Sequence, residues 1–195
     1  MKRNKGGLDF TRSYHKKKVN LSLMQEAVLW VVEIGIVLLL SYVLVYFLGL
    51  RTSVSGRSME PVLSAGDEIL IDRFHYKVFQ VRQDDVVVFL PNGNEMSNYY
   101  VRRVIGLPGD QIQIRDGKLY VNGEAYAGDA EFPEIEDSGL AGEELKVPSD
   151  EYFVLGDNVN SSEDSRHANI GTVRQEDLVG KAWCVVNPKE RRGLL

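Results

Sequence analysis

From Ala27 to Leu50 the chain is apolar at nearly every position, broken early by Glu33, and Ile34 to Leu50 (IGIVLLLSYVLVYFLGL) carries no charge. A helix lying on a soluble core keeps a polar stripe along one side. This run has none, so the pattern predicts a helix that is apolar all round. At ~1.5 Å per residue, Ala27 to Leu50 extends about 36 Å, enough to cross a hydrocarbon core of ~30 Å with some tilt. Trp30 suits one interface, Tyr42 and Tyr46 approach the other, and Glu33 falls near the N-terminal one. Ser53-Val54-Ser55 has the small-x-small look of a signal cleavage site. A cleavable apolar region, however, holds only about 7–15 residues. We read a permanent anchor over 27–50.

Past residue 51 the period changes. Glu68–Asp72 (EILID), Asp85–Leu90 (DVVVFL) and Tyr99–Ile105 (YYVRRVI) are short β-branched runs between turn residues. Gln111–Arg115 (QIQIR) alternates strictly, Asp116-Gly117 turns into Lys118–Val121 (KLYV), and Asn122-Gly123 turns again. Asp-Gly between alternating runs is a hairpin signal. Tyr152–Leu155 and Leu178–Val186 complete the set. The fold class expected is mainly β: one N-terminal transmembrane helix followed by an antiparallel β-sheet domain over 51–195. Residues 128–144 hold seven acids and no Lys or Arg, which reads as a solvated acidic loop inserted into that domain.

Charge sharpens the picture. Residues 1–20 hold seven Lys/Arg against Asp9, a net of +6, whereas 51–195 hold 16 Lys/Arg against 25 Asp/Glu, a net of -9. A basic segment over 1–26, an anchor and an acidic body predict a single-pass protein of the cell membrane, with its N-terminus cytoplasmic and its body outside. The net charge of -5 argues against a nucleic-acid partner. One cysteine, Cys184, and three scattered histidines offer neither a disulfide nor a metal site. No cofactor is expected. Cys184 reads as a buried apolar residue, and Lys189-Glu190-Arg191-Arg192 as a solvated tail.

Candidate chemistry gathers in three segments. Ser58 lies in Gly56-Arg57-Ser58-Met59-Glu60-Pro61, between a glycine turn and a proline-fixed backbone. There a hydroxyl can be held exposed with its own N–H free to stabilise an oxyanion. Arg102 and Arg103 follow each other in a strand, which places them on opposite faces. Gly156 to Arg166 is a polar loop in which Asp164 and Arg166 can pair.

Together these segments resemble bacterial type I signal peptidases, the membrane-anchored Ser/Lys proteases. The motifs Ser-Met-x-Pro, Gly66-Asp67 with Asp72-Arg73-Phe74, Arg-Val-Ile-Gly-Leu-Pro-Gly-Asp and Gly-Asp-Asn…Asp-Ser-Arg occur downstream of the anchor in the family's order. The resemblance implies a serine endopeptidase that removes signal peptides from exported preproteins, after small residues at -1 and -3. Its partners would be those signal peptides and the lipid bilayer. Ser58 matches the nucleophile and Ser162 the serine that orients the general base. Asp164 and Arg166 match the structural ion pair, with Arg103 and Asp157 as further structural support. Val54 and Met59, flanking Ser58, are the expected substrate-pocket residues. Gly56 stands where some members place a serine oxyanion donor.

One position departs from the family. Its general base is a lysine, and here that position is Arg102; no lysine occurs between Lys77 and Lys118. Burial can depress a lysine until it is neutral, but a guanidinium stays charged in proteins. At a pKa of ~13, about one molecule in a million is neutral at pH 7, roughly 8 kcal/mol against such a base. Three readings follow: an impaired relative that binds exported chains or partners, a substitute base such as Lys77, Lys118, Lys146 or His75, or slow catalysis with Arg102 orienting water or substrate.

Overall fold

A computed structural model describes residues 21–48 and 50–195. The basic stretch read as a topology signal lies, up to residue 20, outside the described residues. The chain divides between Tyr42 and Val43 into two compact units.

Helix α1 spans Leu21–Leu48, starting before the apolar run because Leu21-Ser22-Leu23-Met24-Gln25 contains nothing that breaks a helix. Its stretch Met24–Tyr46 is long and apolar enough to cross a membrane, and its side chains from Met24 to Tyr46 are exposed.

The body is antiparallel β throughout. Strands β1 (Leu50–Ser53), β2 (Glu68–Asp72), β3 (Val86–Phe89), β4 (Tyr100–Gly106), β9 (Glu151–Leu155), β10 (Val173–Arg174) and β11 (Leu178–Asn187) form one sheet in the order β1-β2-β11-β3-β4-β9-β10, with β12 (Gly193–Leu194) added to β11. A second sheet orders β7 (Glu124–Ala125), β6 (Lys118–Val121), β5 (Gln111–Arg115) and β8 (Leu145–Lys146). The one further α-helix among the described residues, α2, is the single turn His75–Val78.

Three apolar clusters account for the strand patterns. In β3 all four residues are buried: Val86 and Val88 pack with Val54, Met59, Leu63, Ile69 and Ile71, while Val87 and Phe89 pack with Val104, Tyr152 and Val154. A strand covered on both faces reads as a continuous apolar run. In β5 only one face is covered, so Ile112 and Ile114 alternate with polar residues and pack with Phe153 and Leu155 between the sheets.

Three expectations need correction. Residues 128–144 are not simply a solvated loop: Ile135 and Ala141 are buried in the same cluster as Ile112 and Phe153, together with Ile105 and Val147. Cys184 is half-buried, because a register shift in the β11–β2 pairing falls between Ala182 and Cys184, and Trp183 beside it is exposed. The basic run near the C-terminus is docked rather than free. Arg191 pairs with Asp67 at 3.0 Å and donates to the carbonyls of Pro61 and Val62 and to the Ser64 hydroxyl.

Candidate active site

Ser58 sits in the loop from β1 to β2. Paired hydrogen bonds close the mouth of that loop, Val54 N to Asp67 O at 2.8 Å and Gly66 N to Val54 O at 2.9 Å. Gly56 turns the chain at φ +84°, a left-handed conformation that suits glycine. Met59 and Leu63 then bury completely and fix the loop from inside. Across the loop, Asn158 donates its backbone N–H to the Ser58 carbonyl at 3.0 Å and its side-chain amide to the Arg57 carbonyl at 3.1 Å. Among the described residues the Ser58 N–H has no acceptor.

Strand β4 delivers the two arginines, whose neighbours in β3 are Val87 and Val86. Arg102 donates from Nη1 to Ser58 Oγ at 2.8 Å and to the Val101 carbonyl at 2.6 Å, and from Nε and Nη2 to the Glu163 carbonyl at 2.9 and 2.6 Å. Its guanidinium carbon lies 5.0 Å from the centre of the Tyr100 ring. Burial pulls the guanidinium below its ordinary value, while the charges of Asp164, Tyr100 and Glu163 work the other way.

Arg103 takes different partners. It grips Asp157 with two bonds of 2.8 Å and donates to the Asp84 carbonyl at 2.9 Å. Burial works against its charge, but the bonds and charge of Asp157 more than offset this and raise it. Arg166 holds Asp164 by Nε at 2.8 Å and Nη2 at 3.0 Å, and also donates to the carbonyls of Asp137 and Val159. Asp164 in turn accepts from the Gly156 N–H at 3.2 Å. These buried pairs tie the 156–166 loop to itself, to the acidic segment and to β4.

Ser162 ends the short turn Val159–Ser161. Its buried Oγ has no hydrogen-bond partner among the described residues, so it makes none with Arg102. Gly156 brings it close to the Ser58 loop: a Cβ at 156 would lie 2.3 Å from Ser162 Oγ and 2.4 Å from the Ser58 carbonyl oxygen.

Ser58 and Arg102 open onto a groove of about 290 Å³, walled also by Val54, Gly56, Tyr100 and Glu163. Val54 thus lies on the groove, whereas Met59 is wholly buried in the core and forms no part of its wall. Neither His75, Lys77, Lys118 nor Lys146 lines it. A larger hollow of about 610 Å³ under the acidic segment, bounded by Tyr126, Phe132 and Glu134, shares no lining residue with the groove. Among the groove residues to which the sequence assigns no role, Glu163 and Tyr100 bear on the site. Glu163 accepts from Tyr100 Oη at 3.1 Å and from Asn169 Nδ2 at 2.9 Å, and the Asn169 and Tyr100 bonds hold its carboxyl below the usual range. Its place directly after Ser162 was the available signal.

Residues 27–187 match the family model described as signal peptidase, peptidase S26. Signal peptidase I P of Bacillus subtilis subsp. natto is 35% identical over 170 residues, 83% of this chain and 90% of that protein. Signal peptidase I T of Bacillus subtilis strain 168 is 33% identical over 186 residues, 91% and 92% of the two chains. The crystal structure of a signal peptidase I from Enterococcus faecalis V583 is similar at 30% identity with a TM-score of 0.42, covering 53% of this chain and 97% of that one. With most of its length matched in this way, the chain belongs to the signal peptidase family, peptidase S26, a family of serine endopeptidases, and stands with its type I members.

Proposed function

We propose that this chain is a membrane-anchored endopeptidase that removes signal peptides from exported preproteins after small residues at -1 and -3. Residues 1–26 form the cytoplasmic segment, 27–50 the anchor and 51–195 the peptidase domain outside the membrane. In this reading Ser58 Oγ attacks the scissile carbonyl and forms an ester as the peptide C–N bond breaks, with the hydroxyl proton ending on the amine of the released mature chain; water then hydrolyses the ester. The Ser58 N–H supplies a donor for the oxyanion. The Asp157–Arg103 and Asp164–Arg166 pairs hold the loop that carries Ser162 against the Ser58 loop. Val54 contributes apolar wall where a small side chain would rest.

The observation that carries this reading is the 2.8 Å contact between Ser58 Oγ and the side chain at the family's lysine position, on the floor of a groove. The same contact defines its difficulty. Arg102 is the donor, so it fixes the serine oxygen without taking its proton. The second reading, an impaired relative that binds exported chains, rests on that direction.

Cleavage of an exported preprotein by the purified full chain in detergent separates the two. The peptidase reading expects slow cleavage that Ser58→Ala abolishes and Arg102→Lys raises by tenfold or more, since a positioned base contributes about 10²–10⁴. Equal, absent cleavage by wild type and Ser58→Ala assigns the chain to binding. Cleavage lost in Ser58→Ala but unchanged in Arg102→Lys places the base elsewhere.

A further inference from the structure

Three arginines lie buried around the site, and they are not alike. Arg103 faces Asp157 and Arg166 faces Asp164, each in a two-bond pairing. Arg102, only 7% exposed, has no carboxylate within salt-bridge distance among the described residues; its acceptors are two carbonyls and the Ser58 hydroxyl. The carboxylates whose charges reach it are engaged elsewhere, Asp164 by Arg166 and Glu163 by Tyr100 and Asn169. A buried cation with no directly bonded counter-charge is costly, and an anion that reaches it recovers part of that cost.

Three donors at these two residues remain unused. Four of the five guanidinium N–H groups are used, which leaves one on Nη2. Ser58 Oγ accepts from Arg102, so its own hydrogen is left to donate. The Ser58 N–H is likewise without an acceptor among the described residues. These donors belong to residues that line one narrow groove, with Val54 and Tyr100 as its less polar walls.

We infer that Arg102 and Ser58 form a receptor for the C-terminal carboxylate of a peptide ending in a small residue, the end that a cut signal peptide presents. The inference rests on the proposal that the groove takes signal peptides, and deepens it: charge at position 102 turns the site toward the cut chain rather than the intact one. A carboxylate has an oxygen for the remaining Nη2 N–H and a second for the Ser58 hydroxyl, and a groove of about 290 Å³ leaves room for a short side chain.

The test uses two synthetic peptides of one sequence, an apolar stretch ending Ala-x-Ala, one with a free C-terminal carboxylate and one amidated. Their binding to the full chain in detergent is measured by fluorescence anisotropy at neutral pH. The free acid is expected to bind at least about tenfold more tightly, the worth of one charge-assisted hydrogen bond, and Arg102→Met to erase the difference. Equal binding of acid and amide to wild type overturns the carboxylate receptor while leaving the groove reading in place. Absence of binding by either overturns the groove reading itself. Displacement of the free acid by acetate or phosphate at equal concentration overturns the peptide assignment in favour of a free anion. The wild-type comparison decides even if Arg102→Met fails to fold.

Discussion

At the scale of single residues, the site is a matter of which group gives a hydrogen and which accepts it. A lysine that loses its proton accepts one from serine; a guanidinium has nothing to accept with. That consequence of Arg102 is readable from the sequence, as is the Asp164–Arg166 pair, because both depend on residue type and short spacing. The approach of Ser162 to the Ser58 loop is not readable, since it depends on packing between distant segments. Gly156 shows why. Its place in Gly-Asp-Asn says only that the chain turns, whereas the structure leaves no room there for a methyl group against Ser162 Oγ and the Ser58 carbonyl. Gly156→Ala is therefore expected to push the two loops apart, costing about 1–3 kcal/mol of stability. Cleavage should fall by more than tenfold at a temperature where the variant is still folded. Thermal melting beside the cleavage assay checks this, and an unchanged rate would mean that the two loops need not touch.

At the scale of elements, strands were legible where a covered face imposes a period. Residues 68–72, 111–115 and 118–121 match the expected runs to the residue, while β3 and β4 shift by one at their ends. The two-residue strands 124–125, 145–146, 173–174 and 193–194 are too short to carry a pattern, and only their partners define them. The docked tail belongs with these. Nothing in Lys189-Glu190-Arg191-Arg192 marks Arg191 out, yet it braces the loop that follows Ser58 by facing Asp67, whose side chain is 4% exposed against 32% for Arg191. Removing one partner strands the other. Because Arg191 is partly solvated, the cost of Arg191→Ala is about 1–2 kcal/mol, and the loop from Pro61 to Ser64 should exchange its amide hydrogens faster. Hydrogen exchange measured by mass spectrometry over that loop checks this; unaltered exchange there would leave Arg191 without a bracing role.

For the whole molecule the informative quantity is the distribution of charge about α1. A helix apolar on every side has no soluble surface to lie on, and its orientation in a bilayer follows the lysines and arginines beside it. The seven basic residues of 1–20 stand against an acidic body, so the body should face outward, where newly exported chains emerge. Lysines report the outcome directly. Lys118, Lys146 and Lys189 are exposed on the body, and Lys2, Lys5 and Lys16 to Lys18 lie before the helix. An amine-reactive reagent that cannot cross membranes, added to sealed cells, should mark the first group alone, and lysis should expose the second, with peptide mapping to separate them. Labelling of the N-terminal lysines in sealed cells, with the body protected, would put Ser58 on the wrong side of the membrane for exported substrates. The cleavage proposal would then fail on geometry, whatever the chemistry of Arg102.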